Sequence, residues 1–220
     1  MEKVLNIILM GPPAAGKGTQ SEIICKEYNI PHISTGDMFR AAIANQTKLG
    51  LEAQSYISQG LLVPDSVTIG LVKDRLSKDD CKKGFLLDGF PRTVSQANAL
   101  KEMLAEDGRQ LTKVVVLVAD DKELTNRIVS RRVCPKCGNS YNLLSKKPSK
   151  EGICDSCGER LIQRPDDNEA SFSNRLKDYY GETLPLVDFY KGEDLVAEVN
   201  ALQDIKDVFN DIKAILDEAK

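Results

Sequence analysis

VLNIILMGPPAAGKGT, residues 4 to 19, runs an apolar segment directly into a glycine- and proline-rich turn that ends on a lysine. The turn opens with Gly11 and closes with Gly16 and Lys17, the spacing of a loop that cradles phosphate between a strand and the start of a helix. In such a loop the backbone N–H groups of Ala14, Ala15, Gly16, Lys17, Gly18 and Thr19 turn inward and the helix N-terminus adds partial positive charge. The Lys17 ammonium then reaches the β and γ phosphates. A plain strand-to-helix turn would not need both glycines at this spacing. Gly18 stands directly after the lysine, where Ser or Thr is usual, so the pattern does not assign Thr19 as a direct magnesium ligand.

Outward from this loop, short apolar runs alternate with longer stretches of 3.6-residue period, the signature of βα units around a parallel sheet. The five runs are VLNIILM (4 to 10), PHIS (31 to 34), GFLLD (84 to 88), KVVVLVA (113 to 119) and LVAEV (195 to 199). Their nearly continuous apolar character predicts an α/β fold, a five-stranded parallel sheet covered by helices on both faces. Thr93 with Gln96, and Asp120 with Glu123, have capping-box spacing and mark helix starts. Near the C-terminus Ile205, Val208, Phe209, Ile212, Ile215 and Leu216 share one helical face, which should pack on the sheet.

Two segments break the alternation and read as insertions. Residues 34 to 63 are helical in pattern without a strand of their own and end at GLLVP, 60 to 64. Residues 130 to 165 are rich in Lys, Ser, Asn and Gly and carry two CxxC pairs, Cys134 with Cys137 and Cys154 with Cys157. This is the Cys₄ ribbon pattern, in which two tight turns each present two thiolates to a structural Zn²⁺ with no position left for water. Gly138 and Gly158 follow the second cysteine of each pair, where the turn needs positive φ. A thioredoxin-like redox pair would need a different βα context. The segment has too few apolar residues for a core, and a zinc unit supplies ~10 to 16 kcal/mol of apparent binding free energy in its place. Cys25 and Cys81 are not ligand candidates.

The chain has 220 residues, 30 Lys+Arg against 33 Asp+Glu, a net charge of −3 and no Trp. That balance offers no long-range attraction to nucleic acid or an acidic membrane surface, and the expected partner is a small molecule. The N-terminal apolar run stops at Gly11-Pro12, too short for a signal segment or a membrane span, so the chain is expected to be cytoplasmic.

LLDGFPRT, residues 86 to 93, ends a buried strand on an acid and continues to an arginine. Asp88 is placed like an acid that holds Mg²⁺ directly or through water, with a turn or capping role as the alternative. Gln96 has two competing roles, completing the Thr93 capping box or facing a ligand. His32 ends a short strand and reads as structural.

Taken in order, GPPAAGKGT, STGDMFR (34 to 40), LLDGFPRT, RIVSRR (127 to 132) and QRPDD (163 to 167) resemble the adenylate kinases, in the long bacterial form with a zinc-bearing lid. The resemblance covers the whole chain; the first motif is common to many NTPases, while STGD with DGFPRT and the arginine motifs is specific to nucleoside monophosphate kinases. It implies a P-loop NTPase fold and the reversible reaction MgATP + AMP = 2 ADP, in a monomer whose partners are ATP, AMP and ADP. It also implies a core of residues 1–33, 64–129 and 166–220, an NMP-binding insert at 34–63 and a zinc-binding lid at 130–165. Position by position, Ala14 to Thr19, Arg127, Arg131, Ser140, Tyr141 and Gln203 resemble the family's ATP contacts. Thr35, Arg40, Leu61, Leu62, Val63, Gly89, Phe90, Pro91, Arg92, Gln96, Arg164 and Arg175 resemble its AMP side. Ala14 stands where the family commonly has Gly, so a positive φ there would cost ~1–2 kcal/mol.

That set suits phosphoryl transfer, in which catalysis is in-line positioning plus neutralisation of charge on the equatorial oxygens. Lys17, Arg92, Arg131, Arg164 and Arg175 supply the cations, and guanidinium forks grip two oxygens at once. Arg127 and Arg131, read as one helical face at i and i+4, would repel unless an anion sat between them. The cysteine unit lies between Arg131 and Arg164, as expected of a lid that brings arginines over ATP and excludes water. Two other readings fit parts of the pattern: a kinase for UMP, CMP or GMP, and an ATP-switched zinc-ribbon binding module.

Overall fold

A computed structural model describes residues 4–219, so residues 1–3 and 220 of the expected core lie outside the described residues. The first apolar run forms β1 (Leu5–Met10), every residue of which is buried. It is followed by α1 (Lys17–Tyr28), β2 (His32–Ser34), α2 (Thr35–Ala44), α3 (Lys48–Ser58) and α4 (Asp65–Leu76). Then come β3 (Gly84–Asp88), α5 (Val94–Glu106), β4 (Lys113–Val118) and α6 (Asp121–Val129). A hairpin of β5 (Arg131–Val133) and β6 (Ser140–Asn142) precedes α7 (Glu169–Asp178), α8 (Pro185–Lys191), β7 (Val196–Asn200) and α9 (Ile205–Ala219).

The main sheet has the order β2-β3-β1-β4-β7, and all four pairings are parallel. The pleat sends alternate residues of each strand to opposite faces, and both faces are covered. Ile8, Met10, Phe85, Leu87, Val114 and Val116 pack with Val72 of α4, Leu100 of α5 and Leu186 of α8. Ile7, Leu9, Leu86, Val115 and Leu117 pack on the other side with Ile24 of α1, Leu124 of α6, and Val208, Ile212 and Leu216 of α9. Burying these side chains stabilises the fold by roughly 1.5–3 kcal/mol each, which is why such runs cannot remain as loops.

Chain crossovers bring the functional loops to one edge, the carboxyl ends of the strands. Gly11 marks a tight point: its φ is 143°, and a Cβ built there would lie 2.8 Å from the Leu117 carbonyl oxygen. Only glycine lets β1 turn away so close to β4.

The sequence is corrected at two points. The expected shared helical face of Arg127 and Arg131 does not form, because α6 stops at Val129, Ser130 caps it, and Arg131 opens β5 opposite Asn142. Pairing with β6 overrides the helical period there. His32 begins β2 rather than ending it.

Candidate functional site

The α1 N-terminus has no side-chain cap; its N-cap, Gly16, is left-handed. The amides of Lys17, Gly18 and Thr19 therefore belong to an open first turn, while that of Ala15 is used within the loop, donating to Pro12 O at 3.3 Å. Ala14 has φ 67°, the positive value anticipated for a position that glycine usually holds. Lys17 Nζ donates to the carbonyls of Gly11 at 2.7 Å and Pro12 at 2.8 Å. Burial lowers its pKa to about 7; Asp88 opposes the shift, and Arg92, Arg175 and Arg131 reinforce it. An ammonium in this position stays charged best when an anion joins it.

Asp88 ends β3 beside the loop. Burial disfavours its charge, yet the hydrogen bond with His32 and the field of Lys17 outweigh that and hold the carboxyl below its usual range. His32 Nε2 lies 3.4 Å from Asp88 Oδ2, a partnership that strand pattern alone could not reveal. A buried, ionised carboxylate at the mouth of the phosphate loop suits Mg²⁺.

Two cavities adjoin this edge. The larger, about 810 Å³, is lined by every residue that the sequence assigned to ATP, from Ala14 to Thr19 with Arg127, Arg131, Ser140, Tyr141 and Gln203, and by Asp88, Phe90, Pro91 and Arg164. The smaller, about 70 Å³, is lined by Thr35, Leu61, Val63 and Gln96. Arg40, Leu62, Gly89, Arg92 and Arg175 line both. Cations thus concentrate where the two spaces meet, and burial pushes Arg164 and Arg175 down to about 10, still charged at neutral pH.

The family model described as adenylate kinase matches residues 9–195. The chain belongs to the adenylate kinase family. The adenylate kinase of Bacillus subtilis (strain 168) is 55% identical over 96% of this chain and 98% of its own length. Those of Geobacillus sp. (strain WCH70) and Clostridium botulinum (strain Hall) are 53% and 51% identical over the same shares. As an adenylate kinase the chain catalyses ATP + AMP = 2 ADP.

In this adenylate kinase the arginines are held by acids that sequence reading passed over. Arg131 forks onto Asp167, with Nε 2.8 Å from Oδ2 and Nη2 on Oδ1, and the Asp167 side chain is wholly buried. Arg175 lies 3.2 Å from Asp166 and 3.8 Å from Asp167. Asp37 joins Arg40 at 2.6 Å and Arg164 at 3.4 Å, linking α2 to the chain after the hairpin. The available signal was the pair of acids in QRPDD, beside arginines that must be held still.

Other assigned side chains are already engaged. Thr35 Oγ1 donates to Gly89 O at 2.9 Å, and Arg127 Nη1 to Ala201 O at 3.0 Å. Gln203 Nε2 reaches Asp211 at 2.8 Å. The Tyr141 hydroxyl donates to Cys154 Sγ at 3.5 Å and accepts from the Asp155 N–H at 2.8 Å, so its oxygen is engaged within the cysteine unit. The Thr93 capping box forms by half: Thr93 Oγ1 accepts from Gln96 N at 3.2 Å, but the Gln96 side-chain Oε1 accepts from the Arg92 N–H instead of that of Thr93.

Cys134, Cys137, Cys154 and Cys157 converge, all four Sγ atoms within 4.8 Å of one another. Neighbouring sulfurs lie 3.4–3.5 Å apart. That is far beyond a disulfide at about 2.0 Å and close to the edge of about 3.8 Å of a tetrahedron with 2.3 Å zinc–sulfur bonds. The two knuckles repeat each other: Gly138 N donates to Cys134 O at 3.0 Å and Gly158 N to Cys154 O at 2.9 Å, each glycine at positive φ. The buried core of the unit is Cys134, Tyr141, Cys154 and Leu161, so two of its four members are cysteines of the cluster. The donor set fits Zn²⁺.

Proposed function

We propose that the larger cavity takes MgATP, that the smaller takes AMP, and that the phosphoryl group passes between them beneath Arg92, Arg131, Arg164 and Arg175. The observation that carries this reading is the meeting of the two cavities at Arg40, Arg92 and Arg175, over the phosphate loop. Lys17 exchanges the Gly11 and Pro12 carbonyls for phosphate oxygens. The N–H groups of Gly16 to Thr19 hold the same oxygens, and Arg131 and Arg175, braced by Asp167 and Asp166, neutralise charge as it shifts to the acceptor. Mg²⁺, held at Asp88 directly or through water, supplies charge neutralisation across the phosphates. No general base is needed, because the acceptor is an ionised phosphate.

The division into a core, an NMP insert at 34–63 and a lid at 130–165 belongs to this reading. It is supported by α2 and α3 packing around Phe39, Ala53 and Val63 in a cluster distinct from the two that flank the sheet, joined by Val67 and Leu71 of α4, and by the separate core of the cysteine unit. Closing the lid excludes water that would otherwise receive the phosphoryl group. Zinc, when bound by the four thiolates, supplies cross-linking and no step of the chemistry. Free thiols of this kind persist in a reducing compartment, which favours the cytoplasm, and no helix among the described residues is long and apolar enough to cross a membrane. We take the enzyme to act as a monomer, without nucleic acid.

The test strips the metal and reconstitutes with Cd²⁺, a tetrahedral ion that leaves the lid shape intact. Return of transfer activity with the fold is expected; a restored fold without activity would contradict a purely structural metal. Arg175→Ala is expected to lower kcat by at least about 10²-fold through lost transition-state charge stabilisation, measured by coupled assay.

A further inference from the structure

Gln96 lines the smaller cavity, and its side-chain amide is gripped by two neighbours of fixed hydrogen-bonding sense. Its Oε1 accepts from the Arg92 N–H at 2.8 Å, and its Nε2 donates to Asp65 Oδ1 at 2.7 Å. A backbone N–H only donates and a carboxylate only accepts, so an amide turned end for end would set donor against donor and acceptor against acceptor. The order of oxygen and nitrogen is therefore imposed from outside. Asp65 is itself fixed, because its Oδ2 accepts from Thr93 Oγ1 at 2.8 Å. It opens α4 and lines neither cavity, so its effect on a ligand passes through Gln96.

With those two bonds made, the amide retains one lone pair on oxygen and one N–H on nitrogen. A 6-aminopurine edge offers the matching pair, an acceptor at N1 and a donor at the 6-amino group. A 6-oxopurine edge offers the reverse, N1–H and O6, and needs the amide the other way round. We propose that Asp65 is a specificity-determining positioning residue, which fixes the order of the Gln96 amide and so selects a 6-aminopurine monophosphate over a 6-oxopurine one. The proposal rests on the reading of the smaller cavity as the AMP site. An asparagine at 65 could present either oxygen or nitrogen to Gln96, leaving only the Arg92 N–H to set its order.

The experiment measures kcat and KM for AMP and for IMP, with MgATP saturating, in the unaltered chain and in Asp65→Asn, Asp65→Ser and Gln96→Met, alongside thermal unfolding of each. Both Asp65 variants are expected to raise KM for AMP more than they change kcat. The AMP-over-IMP ratio of kcat/KM should fall about tenfold, the weight of one charge-assisted hydrogen bond. Adding Asp65→Asn to Gln96→Met should change the ratio no further. An unchanged ratio, or an equal loss for AMP and IMP as a merely structural contact between α4 and α5 would give, overturns the proposal. If Gln96→Met itself leaves the preference intact, the reading of the cavity fails; if Gln96→Met abolishes it while the Asp65 variants keep it, the proposal alone fails.

Discussion

At Ala14 the phosphate loop holds a side chain at φ 67°, a conformation that glycine adopts without strain. Ala14→Gly removes an αL cost of ~1–2 kcal/mol but frees the unfolded chain by ~0.4–1 kcal/mol, so a net gain of about 0.5–1 kcal/mol is expected in denaturant unfolding. A loss of stability would mean that the loop uses the Ala14 methyl. Lys17 gives a sharper expectation. Its pKa of about 7 belongs to the nucleotide-free site, and phosphate beside it must raise that value. At pH 8 the free lysine is mostly neutral and the bound one charged, so ATP binding takes up a proton; at pH 6 both are charged and no uptake occurs. Calorimetry in buffers of different ionisation enthalpy reads this directly, and equal proton release or uptake at both pH values would contradict it. The position of Lys17 in the turn after β1 could be read from the sequence because motif spacing sets it, whereas the His32–Asp88 and Gln96–Asp65 contacts join residues 56 and 31 positions apart and leave no local trace.

At the scale of elements, the parallel strands were legible to within a residue because two-sided burial leaves a continuous apolar run. The end of α6 was not, since the arginine-rich stretch keeps a helical period while β5 pairs with β6 beyond it. That pairing places Arg131 on Asp167, the most enclosed ion pair of the site. Asp167→Asn leaves a buried guanidinium without its counter-charge and is expected to destabilise the fold by about 3 kcal/mol while lowering kcat, checked by denaturant melts and steady-state rates. The proposed zinc would hold the cysteine unit in a different way. With so small an apolar core, Cys137→Ser is expected to lose the zinc and melt the hairpin region while the main sheet persists, which amide exchange would register as protection lost between residues 131 and 162 and kept in β1, β3 and β4.

Across the whole molecule, the pieces meet through a few polar contacts. Lys146, beyond the hairpin, lies 3.4 Å from Glu22 of α1, Arg164 lies 3.4 Å from Asp37 of α2, and Asn174 of α7 donates to Gln59 O at 2.9 Å. A single, largely exposed pair such as Lys146–Glu22 contributes about 0–1 kcal/mol, so Lys146→Met should raise the KM for ATP by no more than about fivefold. The proposed closure of the lid over bound nucleotide needs joints no stronger than these. The measurement that bears most directly on the account offers MgATP with AMP, UMP, CMP and GMP in separate reactions and quantifies the nucleoside diphosphates by chromatography. ADP formed from AMP far faster than any other diphosphate is formed is the predicted result. Preferred transfer to another monophosphate would contradict the assignment of the smaller cavity to AMP, and no transfer to any of them would contradict the phosphotransferase itself.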